Sequence, residues 1–358
     1  MLILLGAVLL AACLWALFTT AGQSRRAMAD GVFVVTPRVT GTDEGFSAAE
    51  LTRIALDMPG TSIAFEASGS AYIANGGLTA YVPVVYTNAA YADMNSMAFT
   101  EGAYFPALRE RENVIVLSNA LVWKLFGGSG IVGRRVTIDG VSYEIVGVTT
   151  SADMTEASFA AWLPYYAGSV ETGAEQTPDA AIRTLYLRHE LYNKIDGYRR
   201  AEQLFMFTWK DRAGYYVTDM NEYVLSIARR PVLVLSALYC VVALAFLLRL
   251  LRLTPALLRR ERGFLLHAAE AALCLGIVVF LLLQVDFRIW VAGFEDGLAQ
   301  QLWAALTNAG RLPAPVYLAR NLRDLVRLNE TANVAAAGCL AGAAVCVAGL
   351  LTTWQERG

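Results

Sequence analysis

Four long stretches of the chain are apolar almost without interruption: Leu2–Gly22, Pro231–Leu251, Phe264–Val285 and Asn333–Trp354. A helix that crosses about 30 Å of hydrocarbon at 1.5 Å per residue needs roughly 17–25 such positions, so each stretch predicts a transmembrane helix. Between the first two the pattern changes. From Val32 the apolar runs become short and alternate with polar residues and turn formers, the period of a mixed α+β domain. Val32–Val35, Ser62–Phe65 and Tyr81–Tyr86 read as strands, Pro83 placing the last at an edge or a bulge. Ala48–Asp57 reads as a helix with Ser47 as its N-cap.

The pattern is densest over Asn113–Val148. Val114–Leu117 is a compact strand, Ser118 caps a helix over Asn119–Phe126, and Gly127-Gly128 ends it. Arg135–Ile138 and Val141–Val148 then flank Asp139-Gly140, a dipeptide suited to a type I′ hairpin turn. The expected architecture is membrane α-helical, with four transmembrane helices in a one-plus-three arrangement and an α+β extracytoplasmic domain after the first.

Charge orients this arrangement. The connection after the second span holds Arg249, Arg252, Arg259, Arg260 and Arg262 against the single acid Glu261. Short loops rich in Arg face the cytoplasm, and this signal outweighs Arg25 and Arg26 beside a long domain, because long domains translocate largely regardless of charge. The expected organisation is transmembrane helix 1 over 1–22, an extracytoplasmic domain over 23–230, helix 2 over 231–251 and a cytoplasmic loop over 252–263. Helix 3 over 264–285, an extracytoplasmic loop over 286–332, and helix 4 with a short cytoplasmic tail over 333–358 complete it. The first helix has competing readings. Thr19-Thr20-Ala21 offers a signal-peptidase site, and Leu10-Ala11-Ala12-Cys13 offers a lipobox. A retained anchor is favoured, because no basic segment precedes the helix and Leu14-Trp15-Ala16-Leu17-Phe18 follows Cys13 where a lipoprotein turns polar.

Composition agrees with a membrane class: 56% of the 358 residues are hydrophobic and 17% charged, with a mean hydropathy of +0.45. Cys13, Cys240, Cys274, Cys339 and Cys346 all fall in the predicted spans, so the polar domain rests on its core without disulfides. A net charge of −2 without a basic stripe argues against nucleic acid.

Candidate chemistry is sparse. His189 and His267 lie far apart, so no zinc cluster or His-based triad is expected. No G-x-x-x-x-G-K-[ST] occurs, so any ATPase must be another subunit. Gly128-Ser-Gly130-Ile-Val-Gly133 satisfies G-x-G-x-x-G but has a helix before it and a strand after it, the reverse of a dinucleotide site, and reads as a helix stop and turn. Glu101, Asp139 and Glu144 form no evident pair and read as solvated surface. No catalytic residue, metal or cofactor is expected.

In the spans, Glu270 is an ionisable group two turns into the third helix, where such groups are costly; a functional role and an interfacial one stand equal. Gly338-Cys-Leu-Ala-Gly342 is a GxxxG motif that lets two helix backbones approach, within the protomer or between protomers. Val291–Leu306 and Val316–Leu328 have amphipathic patterns that suit helices at the outer membrane face, over the bundle or docking a partner.

Three segments together resemble the periplasmic core domain of MacB/FtsX-type ABC transporter permeases. They are Met97-Ala-Phe-Thr-Glu-Gly102-Ala-Tyr-Phe105, Val114–Gly128 with its Leu125-Phe126-Gly127, and Ile131-Val-Gly133 to Gly147-Val148 through the Asp139-Gly140 hairpin. Trp162-Leu-Pro164 sits where the family has a further strand. The resemblance covers residues 80 to 166 best. It implies a permease subunit that transmits motion from a separate ABC ATPase to the external domain, with no enzymatic activity of its own. Arg252, Arg259, Arg260 and Arg262 would then meet the ATPase. Implied partners are that ATPase, a second copy or a second permease, membrane lipid, and an extracytoplasmic adaptor or lipoprotein as a further candidate. The implied location is a bacterial cytoplasmic membrane. A permease-like scaffold or binding subunit without ATPase coupling is the alternative.

Overall fold

The structure, a computed structural model, describes residues 2–25, 31–38, 45–151, 154–167, 181–189, 193–258, 264–283 and 320–355. It divides into two compact units: Met1–Arg25, Val224–Arg311 and Val326–Gly358 form the first, and Arg26–Tyr223 with Leu312–Leu325 the second.

The described residues of the first unit are helical. Helix α1 spans Leu2–Ser24. Among the described residues, three helices are long and apolar enough to cross a membrane, over Ile3–Ser24, Met220–Leu251 and Arg327–Gly349. The predicted third span falls on a helix over Phe264–Leu283, 20 residues long, whose described apolar stretch is the shorter Ala268–Phe280. The helix over Met220–Leu258 has 39 residues, about 58 Å at 1.5 Å per residue, and runs through Pro231 and Pro255. It starts eleven residues before the predicted span because Met220, Tyr223 and Ile227 supply buried apolar positions ahead of Pro231. Likewise, the last helix runs from Arg320 to Gln355 and absorbs the described part of the amphipathic segment predicted over Val316–Leu328. Val291–Leu306 lies outside the described residues.

The described residues of the second unit form a ten-stranded mixed sheet with helices on it. In chain order its elements are β1 (Val32–Pro37), α2 (Ala48–Asp57), β2 (Thr61–Asn75), β3 (Leu78–Thr87), α3 (Tyr91–Met94), β4 (Phe99–Gly102), β5 (Val114–Ser118), α4 (Asn119–Phe126), β6 (Arg135–Ile138), β7 (Val141–Thr149), β8 (Ala161–Pro164), β9 (Ile182–His189), α5 (Lys194–Thr208) and β10 (Tyr215–Asp219). The helices over Met220–Leu258, Phe264–Leu283 and Arg320–Gln355 are then α6, α7 and α8. The strand order is β10-β1-β9-β2-β3-β8-β5-β7-β4, with β6 pairing β2 and β7.

Two cores fill the domain, and β2 serves both. Its first half gives Ile63, Phe65 and Ala67 to a core under α2 and α5, with Leu51, Ile54, Leu204 and Phe205. Its second half gives Ala71 and Ile73 to a core under α4, with Leu117, Leu121, Leu125 and Ile145. The register of β2 against β9 shifts between Glu66 and Ala67, at the changeover. Bulges bend the strand that carries them, which suits a strand shared by two cores.

Local rules explain most of the elements. Asp139 at φ 48° and Gly140 at φ 84° give the type I′ turn that joins β6 to β7. Pro83 sits where β3 pairs β2 and lies outside the β8 pairing, which begins at Val84, so β3 has a free edge there. Gly102 and Gly147, paired in register on β4 and β7, answer a crowding constraint. A Cβ on Gly102 would stand 2.2 Å from the Val146 carbonyl oxygen, and one on Gly147 would stand 2.3 Å from that of Ala103. Ser118 has the extended backbone of an N-cap, but its hydroxyl accepts from Ala160 N at 3.0 Å, while Ser151 Oγ, 31 residues along the chain, accepts from Ala120 N in the first turn of α4.

Candidate functional site

The helices meet where the sequence supplies small residues. A Cβ on Gly342 would lie 3.0 Å from Gly6 O and 3.2 Å from Leu10 N, and one on Gly338 would lie 2.5 Å from Cys13 Sγ. Gly6 answers from the other side, since its Cβ would come 2.9 Å from Gly342 O. Residues without Cβ allow backbones this close, and their contacts drive association where lipid is as apolar as the side chains. In this structure the Gly338/Gly342 face of α8 packs on α1 of the same chain.

Glu270 on α7 accepts from Arg249 on α6, with Nε at 2.9 Å and Nη2 at 2.7 Å from Oε1. Each side chain is about one third exposed, 31% and 32%. Pairing offsets the cost of an ionised carboxylate in an apolar setting, so Glu270 ties two helices together. A second tie joins α6 to α8. Arg230, 6% exposed, donates from Nη1 to Asn329 O at 2.9 Å and from Nη2 to Asn329 Oδ1, and Asn329 is 3% exposed. Among the loop arginines, Arg252 falls on α6, and Arg259, Arg260 and Arg262 lie outside the described residues.

A junction connects strand to helix. β10 ends at Asp219 and α6 begins at Met220, without a loop between them. The Asp219 carboxylate accepts from Asn221 N at 3.0 Å and Glu222 N at 3.4 Å, meeting two of the donors that a helix start leaves open. β10 pairs β1 antiparallel over five residues, Phe33↔Asp219 to Pro37↔Tyr215.

Within the domain, Glu66 at the β2 bulge is a buried carboxylate, 2% exposed. It accepts from Tyr91 and Tyr186 hydroxyls at 3.1 and 3.0 Å, and from Ser68 Oγ at 3.0 Å. Burial first, and then the Glu66 charge, push both tyrosines well above the ordinary value, so they remain donors. The carboxylates singled out in the sequence also hold local structure. Glu101 accepts from Gly130 N at 2.8 Å and Ile131 N at 3.1 Å, so a carboxylate occupies the amides of the G-x-G-x-x-G segment. Glu144 accepts from Arg109 at 2.9 Å.

The pairings Arg230–Asn329 and Glu66–Tyr186 join residues 99 and 120 positions apart, which no local pattern reports. The local signals present were a basic residue at the start of an apolar run and a Glu within a strand.

With this geometry in view, residues 1–192 match the MacB-like periplasmic core domain family. Among solved structures, the domain is similar to the periplasmic region of MacB from Actinobacillus actinomycetemcomitans, at 13% identity and a TM-score of 0.46, covering 57% of this chain and 94% of that one. It is also similar to the extracellular domain of the ABC-type transporter YknZ from Gram-positive bacteria, at 15% identity and a TM-score of 0.40, covering 52% and 99%. No curated protein matches the chain.

Proposed function

The chain belongs to the MacB-like periplasmic core domain family, a membrane protein with an extracytoplasmic domain, and from that membership we propose that it is the permease subunit of an ABC transport complex. A separate ATPase supplies the energy, and the chain hydrolyses nothing itself. The helices cross a bacterial cytoplasmic membrane and carry motion to the external domain, which extrudes a substrate or activates a partner.

The observation that best supports transmission is the loop-free passage from β10 into α6, capped by Asp219. A displacement of the long helix reaches a strand without slack to absorb it, and β10 passes it to β1 through their ladder. The ties Arg249–Glu270 and Arg230–Asn329 favour movement of α6, α7 and α8 together.

The test is copurification of the tagged full chain from its native membrane. A stoichiometric nucleotide-binding subunit is expected, with ATPase activity that falls when Arg259, Arg260 and Arg262 are all replaced by Glu. Recovery of the chain with no nucleotide-binding partner would refute the permease reading and favour the scaffold.

A further inference from the structure

A cavity of about 140 Å³ opens in the extracytoplasmic domain between α2, the start of β2 and the segment after β8. One part of its wall is apolar: Leu51, Ile63 and Phe65 are buried, and the Tyr165 ring stands edge-on to Phe65 at 5.6 Å between centroids. The volume compares with an apolar cavity of about 150 Å³ that admits benzene. It therefore suits a group the size of one aromatic ring.

The polar residues at its wall are Thr52, Thr87, Asn88, Glu110, Tyr165 and Tyr166, and Glu110 is the one carboxylate among them. Glu110 is half-buried, and one carboxylate oxygen accepts from Ala89 N at 2.6 Å; among the described residues no basic side chain is paired with it. Asn88 donates from Nδ2 to Ile63 O at 2.9 Å, which fixes its side chain at the cavity wall. Thr87 Oγ1 spends its proton on Phe65 O at 2.5 Å. A ligand that matches the Glu110 carboxylate must donate a hydrogen bond. A cation also compensates a carboxylate taken partly out of water, which a neutral donor does less well.

We propose that this cavity binds a small apolar primary amine, its ring or alkyl body against Leu51, Phe65 and Tyr165 and its ammonium on Glu110. The site belongs to the external domain alone, so it stands whether or not an ATPase drives the chain. Burial raises the Glu110 carboxyl, as expected for an acid that lacks its counter-charge.

The experiment uses the purified full chain in detergent, with benzylamine as probe and benzyl alcohol as its neutral match, read by saturation-transfer NMR and confirmed by calorimetry. Benzylamine should bind at least tenfold more tightly than benzyl alcohol. Glu110→Gln keeps an acceptor for Ala89 N, and it should weaken benzylamine at least tenfold with little effect on the alcohol. Ala55→Trp, which fills the half-exposed side of the cavity, should abolish both, with circular dichroism checking that each variant is folded. Equal binding of amine and alcohol, benzylamine binding unchanged by Glu110→Gln in a folded variant, or no saturation transfer from the wild-type chain to benzylamine would each overturn the assignment.

Discussion

Gly338 offers a direct measurement of how α1 and α8 pack. A Cβ placed there would lie 3.6 Å from Cys13 Cβ and 2.5 Å from Cys13 Sγ. Bridged cysteines hold their Cβ atoms about 3.5–4.5 Å apart, so Gly338→Cys puts a thiol within bonding reach of Cys13. The 2.5 Å contact is with the flexible end of the side chain, the atom that would form the bond. The substitution adds bulk to a tight interface, at a cost of about 1–3 kcal/mol before oxidation. The assay uses a chain with Cys240, Cys274, Cys339 and Cys346 changed to Ala and a protease site inserted at Gly76-Gly77, where added atoms meet nothing within 4 Å. After mild oxidation in membranes and cleavage, the two fragments should remain joined on a non-reducing gel, while the uncleaved chain runs as a monomer. A disulfide-linked dimer of the uncleaved chain would place the glycine face between protomers and refute the packing described here. Fragments that separate would refute it equally. Cys13→Ala in the same background controls for unrelated cross-links.

Two further predictions concern charge. Reversing one partner of the α6–α7 pair, by Arg249→Glu or Glu270→Arg, sets like charges together in an apolar setting and should cost up to about 3 kcal/mol, seen as a lower melting temperature in detergent; the double reversal should recover most of the loss, and a double variant no better than either single one would show that the pair contributes nothing. Glu110 should couple stability to pH. Its folded carboxyl is raised by burial, so the folded chain holds a proton that the unfolded chain releases at lower pH, and stability falls as pH rises from the ordinary carboxyl value through the raised one. The melting temperature between about pH 4 and 7 should show this decline, and Glu110→Gln should remove it; an identical profile in the variant would rule it out.

Local signals read well from the sequence, and long-range ones did not. The helix over Asn119–Phe126 and the Asp139-Gly140 hairpin follow from turn chemistry and apolar spacing within a dozen residues. Gly102 and Gly147 could be quoted as a motif, but their cause became visible only when β4 and β7 were seen to pair with the Val146 and Ala103 carbonyls crowding the two glycines. The strand over Ser62–Phe65 was predicted at a fraction of its length. Glu66, Ser68, Gly69 and Ser70 break the apolar alternation, and they belong in β2 because the bulge, the Glu66 hydrogen bonds and a long β3 partner accept them. β9 and β10 are settled by pairing with β1 and β2, while α5 starts at Asn193, whose side chain accepts from Ile195 N at 3.0 Å. In the helices Glu270 was visible as an anomaly, whereas its partner was in the neighbouring helix.

The Glu66 cluster also bears on how the domain would respond to a pull. A buried carboxylate is costly unless hydrogen bonds satisfy it, and the three donors here come from β2, α3 and β9. Separating β9 from β2, or α3 from either, leaves part of that charge unsatisfied in a site 2% exposed. The penalty falls at the bulge where the two cores share one strand. β1 pairs β9 as well as β10, and β9 pairs β2, so a force that enters at the β10–α6 junction crosses three ladders before reaching Glu66. With those ladders and the carboxylate cluster intact, the cheaper response is movement of the domain as a piece, as the proposed transmission requires.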